Sequence, residues 1–164
     1  METKIAQDEV QKWFEVRPSP IQGLGVFALR PIPKGTRIVE YIGERITHQE
    51  ANARYDDAAM ERHHTFLFTV DEQTVIDATR WGNDSRYFNH SCDPNCEPIV
   101  DEGRIFIEAI CDIGAGAELL FDYSYERENE SPEAEKLYGC HCGAKHCRKT
   151  ILAPVDADPQ PANP

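Results

Sequence analysis

Three cysteines fall within eight residues in Cys140-His-Cys-Gly-Ala-Lys-His-Cys147, and a segment with thiols at this C-x-C-x4-C spacing folds most simply around one metal ion. Gly143 eases the turn between the ligands. Three thiolates leave one tetrahedral position open, for which Cys92, Cys96, Cys111, His141 and His146 are candidates; an open position would also permit a catalytic metal. Cys111 closes the run Ile107-Glu-Ala-Ile110 and reads as a buried core thiol. The first ten residues set charges on both sides of a few apolar ones and contain no apolar stretch of about 7 to 15 residues, so they do not read as a secretory leader. Clustered cysteines in a reducing compartment then read as metal ligands rather than disulfides.

The 164 residues carry 29 Asp and Glu against 17 Lys and Arg, a formal net charge of −12. That length suits one domain with a single core. The acidic balance disfavours non-specific binding to DNA, RNA or anionic lipid, each of which needs a basic field, and attracts a basic protein or peptide. No window approaches the roughly 20 apolar residues of a membrane span. The expectation is a soluble intracellular protein without direct nucleic-acid or membrane contacts, and nothing in the pattern specifies an oligomer.

Short β-type runs alternate with Gly, Pro and Asp: 26–29, 37–41, 65–70, 74–76, 104–110 and 118–121. The fold class is therefore mainly β. Thr47-His-Gln-Glu50 is a capping box in front of a helix predicted to run to about Met60, and Ser131-Pro132 opens a second helical piece through Lys136. Residues 1–12 read as a loose arm. The segment 153–164, rich in proline and without a base, reads as a disordered tail.

Three further segments carry chemistry. Gln22-Gly-Leu-Gly-Val26 lacks the third glycine and following helix of a dinucleotide fingerprint, but permits close backbone approach to a ligand. Arg86-Tyr-Phe-Asn-His-Ser-Cys-Asp-Pro-Asn-Cys96 has more polar side chains than a plain loop needs, without the elbow of a serine hydrolase. Glu118–Tyr125 places Phe121, Tyr123 and Tyr125 on one face by period-two geometry.

Taken in order, these segments with Glu40-Tyr-Ile-Gly-Glu44, Val75-Ile-Asp-Ala78 and Gly82-Asn83 resemble the SET-domain protein lysine methyltransferases that carry a post-SET zinc motif. The likeness runs from about residue 14 to 152. It implies a β-clip fold of small curved sheets and short helices, with pseudoknot-like C-terminal threading and a zinc-bound post-SET lid. The implied division is a SET domain at 13–126 and a linker with the post-SET motif at 127–152. Without a pre-SET cysteine cluster or chromatin-reading module, the sequence reads as a minimal, free-standing protein of the family.

The resemblance names Cys92 as the fourth ligand beside Cys140, Cys142 and Cys147 of one structural zinc, leaving Cys96 and Cys111 free and His141 and His146 outside the site. It implies S-adenosylmethionine against Gln22, Gly23 and Leu24, with Asn89 and His90 reading its adenine and methionine portions. His141 adds backbone contacts, and Ile151 covers the adenine. Phe66 stands where many relatives carry a cofactor-contacting tyrosine. Tyr123 corresponds to the family's active-site tyrosine, Tyr41 and Tyr125 line the lysine channel, and Phe121 leaves room for di- or trimethylation. The implied activity is methyl transfer to the lysine ε-amine of a basic, histone-like protein; the acidic stretch Glu126–Glu135 could border a groove for it. A non-catalytic zinc-stabilised module binding a basic partner is the alternative, followed by a thiol-rich redox or metal-storage protein. The compartment would be bacterial cytoplasm, eukaryotic nucleus, or a host cell after export.

Overall fold

The computed structural model describes residues 12–55, 65–125 and 132–154. The arm at 1–11, the end of the tail and most of the acidic stretch lie outside the described residues. Phe14–Pro18 (β1) pairs antiparallel with Leu24–Ala28 (β2). Arg37–Tyr41 (β3) begins a second antiparallel sheet with Cys96–Asp101 (β8) and Arg104–Ala109 (β9), in the order β3-β9-β8. A third sheet joins Glu44–Ile46 (β4), Leu67–Thr69 (β5) and Val75–Asp77 (β6), in the order β4-β6-β5. Asn89–His90 (β7) and Leu120–Phe121 (β10) form a parallel pair, preceded by a 3-10 turn at Asp84–Tyr87. Among the described residues no helix is long and apolar enough to cross a membrane.

The central strand β9 shows why the sheets pack as they do. Ile105, Ile107 and Ala109 alternate inward and are buried, while Arg104 and Glu108 turn outward to pair with Glu40 and Arg37. Ile107 and Ala109 meet Val26, Phe88, Leu119 and Phe121 in the interior, and Ile105 packs with Tyr41, Ile76 and Ala78. Each such aliphatic side chain contributes about 1.5 to 3 kcal/mol when fully buried.

Two expectations are corrected here. Cys111 is exposed rather than buried, because β9 ends at Ala109 and the alternation stops before reaching it. The buried thiol of the core is Cys96, at the start of β8. The first helix (α1) spans His48–Arg54 and closes at Tyr55, short of Met60; residues 56–60 lie outside the described residues. Thr47 caps it as expected, accepting from the Glu50 N–H at 3.1 Å, but the Glu50 carboxylate accepts from Arg54 instead of returning to the cap. The second helix (α2) spans Pro132–Leu137 and leads into the cysteine segment.

Arg54 also reaches Asp77, which is 1 % exposed and accepts from the Tyr55 hydroxyl (2.9 Å) and the Thr79 N–H (3.0 Å). Burial alone would raise the Asp77 pKa, but these donors outweigh it and hold the carboxyl below its usual range. Asp77→Ala is expected to cost about 3 kcal/mol in urea unfolding at neutral pH, because it removes the buried acceptor of three hydrogen bonds, from Arg54, the Tyr55 hydroxyl and the Thr79 N–H. A pKa lowered in the folded state stabilises above the unfolded value and loses that contribution as pH falls. The gap between wild type and variant should therefore close below about pH 4.

Candidate active site

The loop between β1 and β2 forms one wall of a cleft of about 150 Å³, lined by residues that include Gln22, Gly23, Leu24, Phe66, Tyr123 and Tyr125. The loop is held from behind. The Glu118 carboxylate accepts from the Ser19 hydroxyl (2.8 Å) and the Asn89 amide (3.0 Å), and the same amide reaches the carbonyls of Leu24 (3.0 Å) and Gln22 (3.2 Å). At Gly25 a Cβ would strike the Glu118 carboxylate and Ser19, so any side chain there would push the shared acceptor out of this arrangement.

Opposite the loop stands Tyr123. Its hydroxyl donates to the Phe88 carbonyl, and its backbone N–H donates to His90 Nδ1 at 3.0 Å. Its ring packs against His90, Phe121 and Tyr125 with centroids 5.0 to 5.9 Å apart. Burial raises the Tyr123 pKa well above the ordinary phenol value, so the hydroxyl stays protonated at neutral pH. Burial also lowers the His90 pKa to about 4 despite the nearby Asp122 carboxylate. A neutral imidazole with a bare Nδ1 is what the Tyr123 N–H requires, and the 3.6 Å approach of His90 to Asp122 is therefore not an ion pair at neutral pH.

Beneath the cleft, the sulfurs of Cys92, Cys140, Cys142 and Cys147 all lie within 4.8 Å of one another. Cys92 Sγ is 3.8 Å from that of Cys140 and 4.0 Å from that of Cys147. A tetrahedron with metal–sulfur bonds near 2.3 Å has sulfurs about 3.8 Å apart, so these four residues could hold one metal ion in a closed site. Burial disfavours thiolate at Cys142, yet N–H groups of Cys92 and Ala144 and the thiols of Cys140 and Cys147 outweigh it and lower its pKa to about 6. Cys140 is shifted upward, chiefly by burial. A bound cation would favour the thiolate form at all four. His146 is exposed and outside the cluster.

The cleft thus brings together Gln22, Gly23, Leu24, Phe66, Asn89, His90, Tyr123, Tyr125, His141 and Ile151. Two of the expected residues stand behind it. Tyr41 is buried with its hydroxyl donating to the Phe66 carbonyl, and Phe121 is buried against Phe68 and Phe88. Sequence reasoning missed Arg86 and Tyr87, which also line the cleft. Arg86 donates to the Ala78 carbonyl and the Tyr87 hydroxyl, and its buried Nε has no partner. The available signal was a cation and a phenol side by side in the densest polar segment of the chain.

Residues 23–124 match the SET domain family. The chain belongs to that family. It is 42 % identical over 135 residues to the histone-lysine N-methyltransferase trr of Drosophila melanogaster, covering 80 % of this chain and 5 % of that protein. It is 42 % identical over 137 residues to the H3 lysine-4 specific histone-lysine N-methyltransferase of Eremothecium gossypii, covering 79 % and 14 %. Human histone-lysine N-methyltransferase 2D is 38 % identical over 135 residues, covering 80 % and 2 %. The chain therefore corresponds to a small part of each of these much longer relatives. The mainly β fold of small sheets agrees with the family. In it β10 lies parallel beside β7, and the loop after β7 holds β10 and its approach: the Ser91 N–H donates to the Phe121 carbonyl, and the Asn95 side chain accepts from the Leu120 N–H and donates to the Glu118 carbonyl.

Native mass spectrometry of the purified chain should show one metal ion per molecule. Cys142→Ser should leave it largely metal-free after dialysis, because one thiolate ligand is lost.

Proposed function

We propose that this SET domain transfers methyl groups from S-adenosylmethionine to the ε-amine of a lysine in a basic, histone-like protein, with a structural zinc ion in the thiol cluster. The observation that carries the reading is Tyr123, fixed at the cleft wall with its hydroxyl committed as a donor and its oxygen still able to accept. The names of the similar proteins support the same chemistry.

The cleft suits the cofactor on the evidence of its own groups. The unpartnered Arg86 Nε offers a buried cation to the cofactor's carboxylate, while Phe66, Tyr87 and the 22–24 backbone offer apolar and peptide surface to the remainder. S-adenosylmethionine supplies an electrophilic methyl on a sulfonium, to be displaced by a neutral amine. A free lysine, with a pKa near 10.4, is almost wholly protonated at neutral pH. The aromatic surround of Tyr123 and Tyr125 disfavours the ammonium by desolvation. Tyr123 stays protonated and is not a base; it orients the amine and stabilises charge developing beside it. Asn89 and His90 act by holding the Gln22–Leu24 wall and the Tyr123 backbone, and both line the cleft. Phe121 puts no hydroxyl behind the amine, so a partly methylated amine can turn, which favours di- and trimethylation. The acidic surface favours a basic substrate.

Tyr123→Phe should lower methyl transfer to a lysine-rich peptide by about 100-fold or more, the scale of losing an oriented active-site hydroxyl. Cofactor affinity by calorimetry should stay within about threefold; equal loss of both would overturn the assigned role. Wild-type protein that binds zinc and cofactor yet methylates nothing in a lysine-rich proteome array would favour the binding-module reading. Arg86→Gln should instead weaken cofactor binding by about tenfold or more, the scale of a lost hydrogen bond to a charged group.

A further inference from the structure

Arg148 follows the last cysteine of the cluster and touches three separate parts of the molecule. Its backbone N–H points to Cys92 Sγ at 3.4 Å. Its guanidinium grips Asp122 with two parallel hydrogen bonds, Nη1 to Oδ2 and Nη2 to Oδ1, each 2.9 Å, and Nη2 also donates to the Leu152 carbonyl at 3.1 Å. Both charged side chains are only about a fifth exposed, at 20 % and 23 %. Asp122 in turn holds the chain around its neighbour: Oδ1 accepts from the Ser124 N–H at 3.0 Å, where Ser124 sits in the left-handed region at φ +44°. The residue enclosed by that turn is Tyr123.

We infer that Arg148 is a positioning residue that couples the thiol cluster to Tyr123 through Asp122. Ordering of the cysteine segment presents the guanidinium fork; the fork fixes the carboxylate; the carboxylate fixes the turn from which Tyr123 projects. Two further ties exist: the bridge of Tyr125 with Leu152 secures the chain after the turn, and His90 accepts from the Tyr123 N–H at Nδ1 while its Nε2 lies 3.3 Å from Cys92 Sγ, so the variants at Asp122 and Arg148, which leave His90 untouched, isolate the Asp122 link. Fork-to-carboxylate pairing is directional, so a lysine would preserve charge without preserving the geometry. Coupling free energies are reciprocal. Cutting the link at Asp122, which touches no thiol, must therefore also loosen the cluster's hold on its ion. The importance of this link for catalysis rests on the methyltransferase reading; the link itself does not.

The test uses the zinc-loaded full chain as wild type, Asp122→Asn and Arg148→Lys, with two readouts independent of turnover. The first is hydrogen-exchange protection of the Tyr123 amide by NMR, with the Ile105 and Ile107 amides of β9 reporting global stability. The second is zinc retention against a competing chelator. Chelating zinc from wild type should lower Tyr123 protection by about tenfold or more, on the scale of typical intramolecular coupling, while β9 stays protected. Each variant should reproduce that loss with zinc bound and should release zinc several-fold more readily. If Asp122→Asn does not fold, Arg148→Lys decides alone.

Unchanged Tyr123 protection, unchanged zinc retention, or losses shared equally by the β9 amides would overturn the inference and leave Arg148 a structural ion pair. Methyl transfer is measured in parallel to separate the two readings. Intact coupling in a protein that transfers no methyl would overturn the methyltransferase reading alone, whereas active protein without coupling would overturn this inference alone.

Discussion

Two strands of two residues each, lying parallel, hold the functional half of the molecule together. Such a pair has too few backbone hydrogen bonds to persist by itself. It persists here because Asn95 uses both ends of its amide on the second strand and its approach, accepting from the Leu120 N–H and donating to the Glu118 carbonyl two residues before it. Phe88 and Phe121 are also buried against each other across it. From this junction the chain runs in one direction to His90 and Cys92, and in the other to Asp122 and Tyr123. Neutral imidazole, phenol, carboxylate and thiol meet in a small volume for that reason alone.

Arginine is the main means by which an acidic chain organises itself. Arg37, Arg54, Arg104 and Arg148 each bind one or more carboxylates. The three more exposed pairs, two at Arg37 and one at Arg104, add little to stability. Arg54 and Arg148 are half-buried and hold loop geometry, one beneath the β4-β6-β5 sheet and one beside the cleft. Each such pair uses a carboxylate along with the arginine, so the net charge of −12 is unchanged by them.

Features set by local rules were readable from the sequence. The β3 strand, the Thr47 cap and the helix opening at Pro132 fall where pattern and capping chemistry put them. The strands that escaped notice broke those rules: β1 ends in Pro18, β4 has three residues and β7 two, and β8 carries Pro98, tolerable because β8 is an edge strand. Cys111 was misjudged by extending an alternation past the end of its strand. The site was legible in its residues but not in its connections. Spacing alone left five candidates for the fourth thiol-cluster position, since Cys92 and Cys140 are 48 residues apart and only the tertiary fold brings them together. Likewise, no local pattern tells that the Asn89 side chain faces the 22–24 loop, or that Arg148 reaches back to Asp122.

The placement of Cys92 beside β7 bears on the order in which the chain can fold. Three sulfurs belong to a local eight-residue segment that can gather an ion in an otherwise unfolded chain. The fourth arrives only once β10 has found β7, a contact of long sequence separation and correspondingly slow formation. The last sulfur to close the cluster thus reports that the two short strands have paired. A closed metal site marks a chain whose cleft is already built.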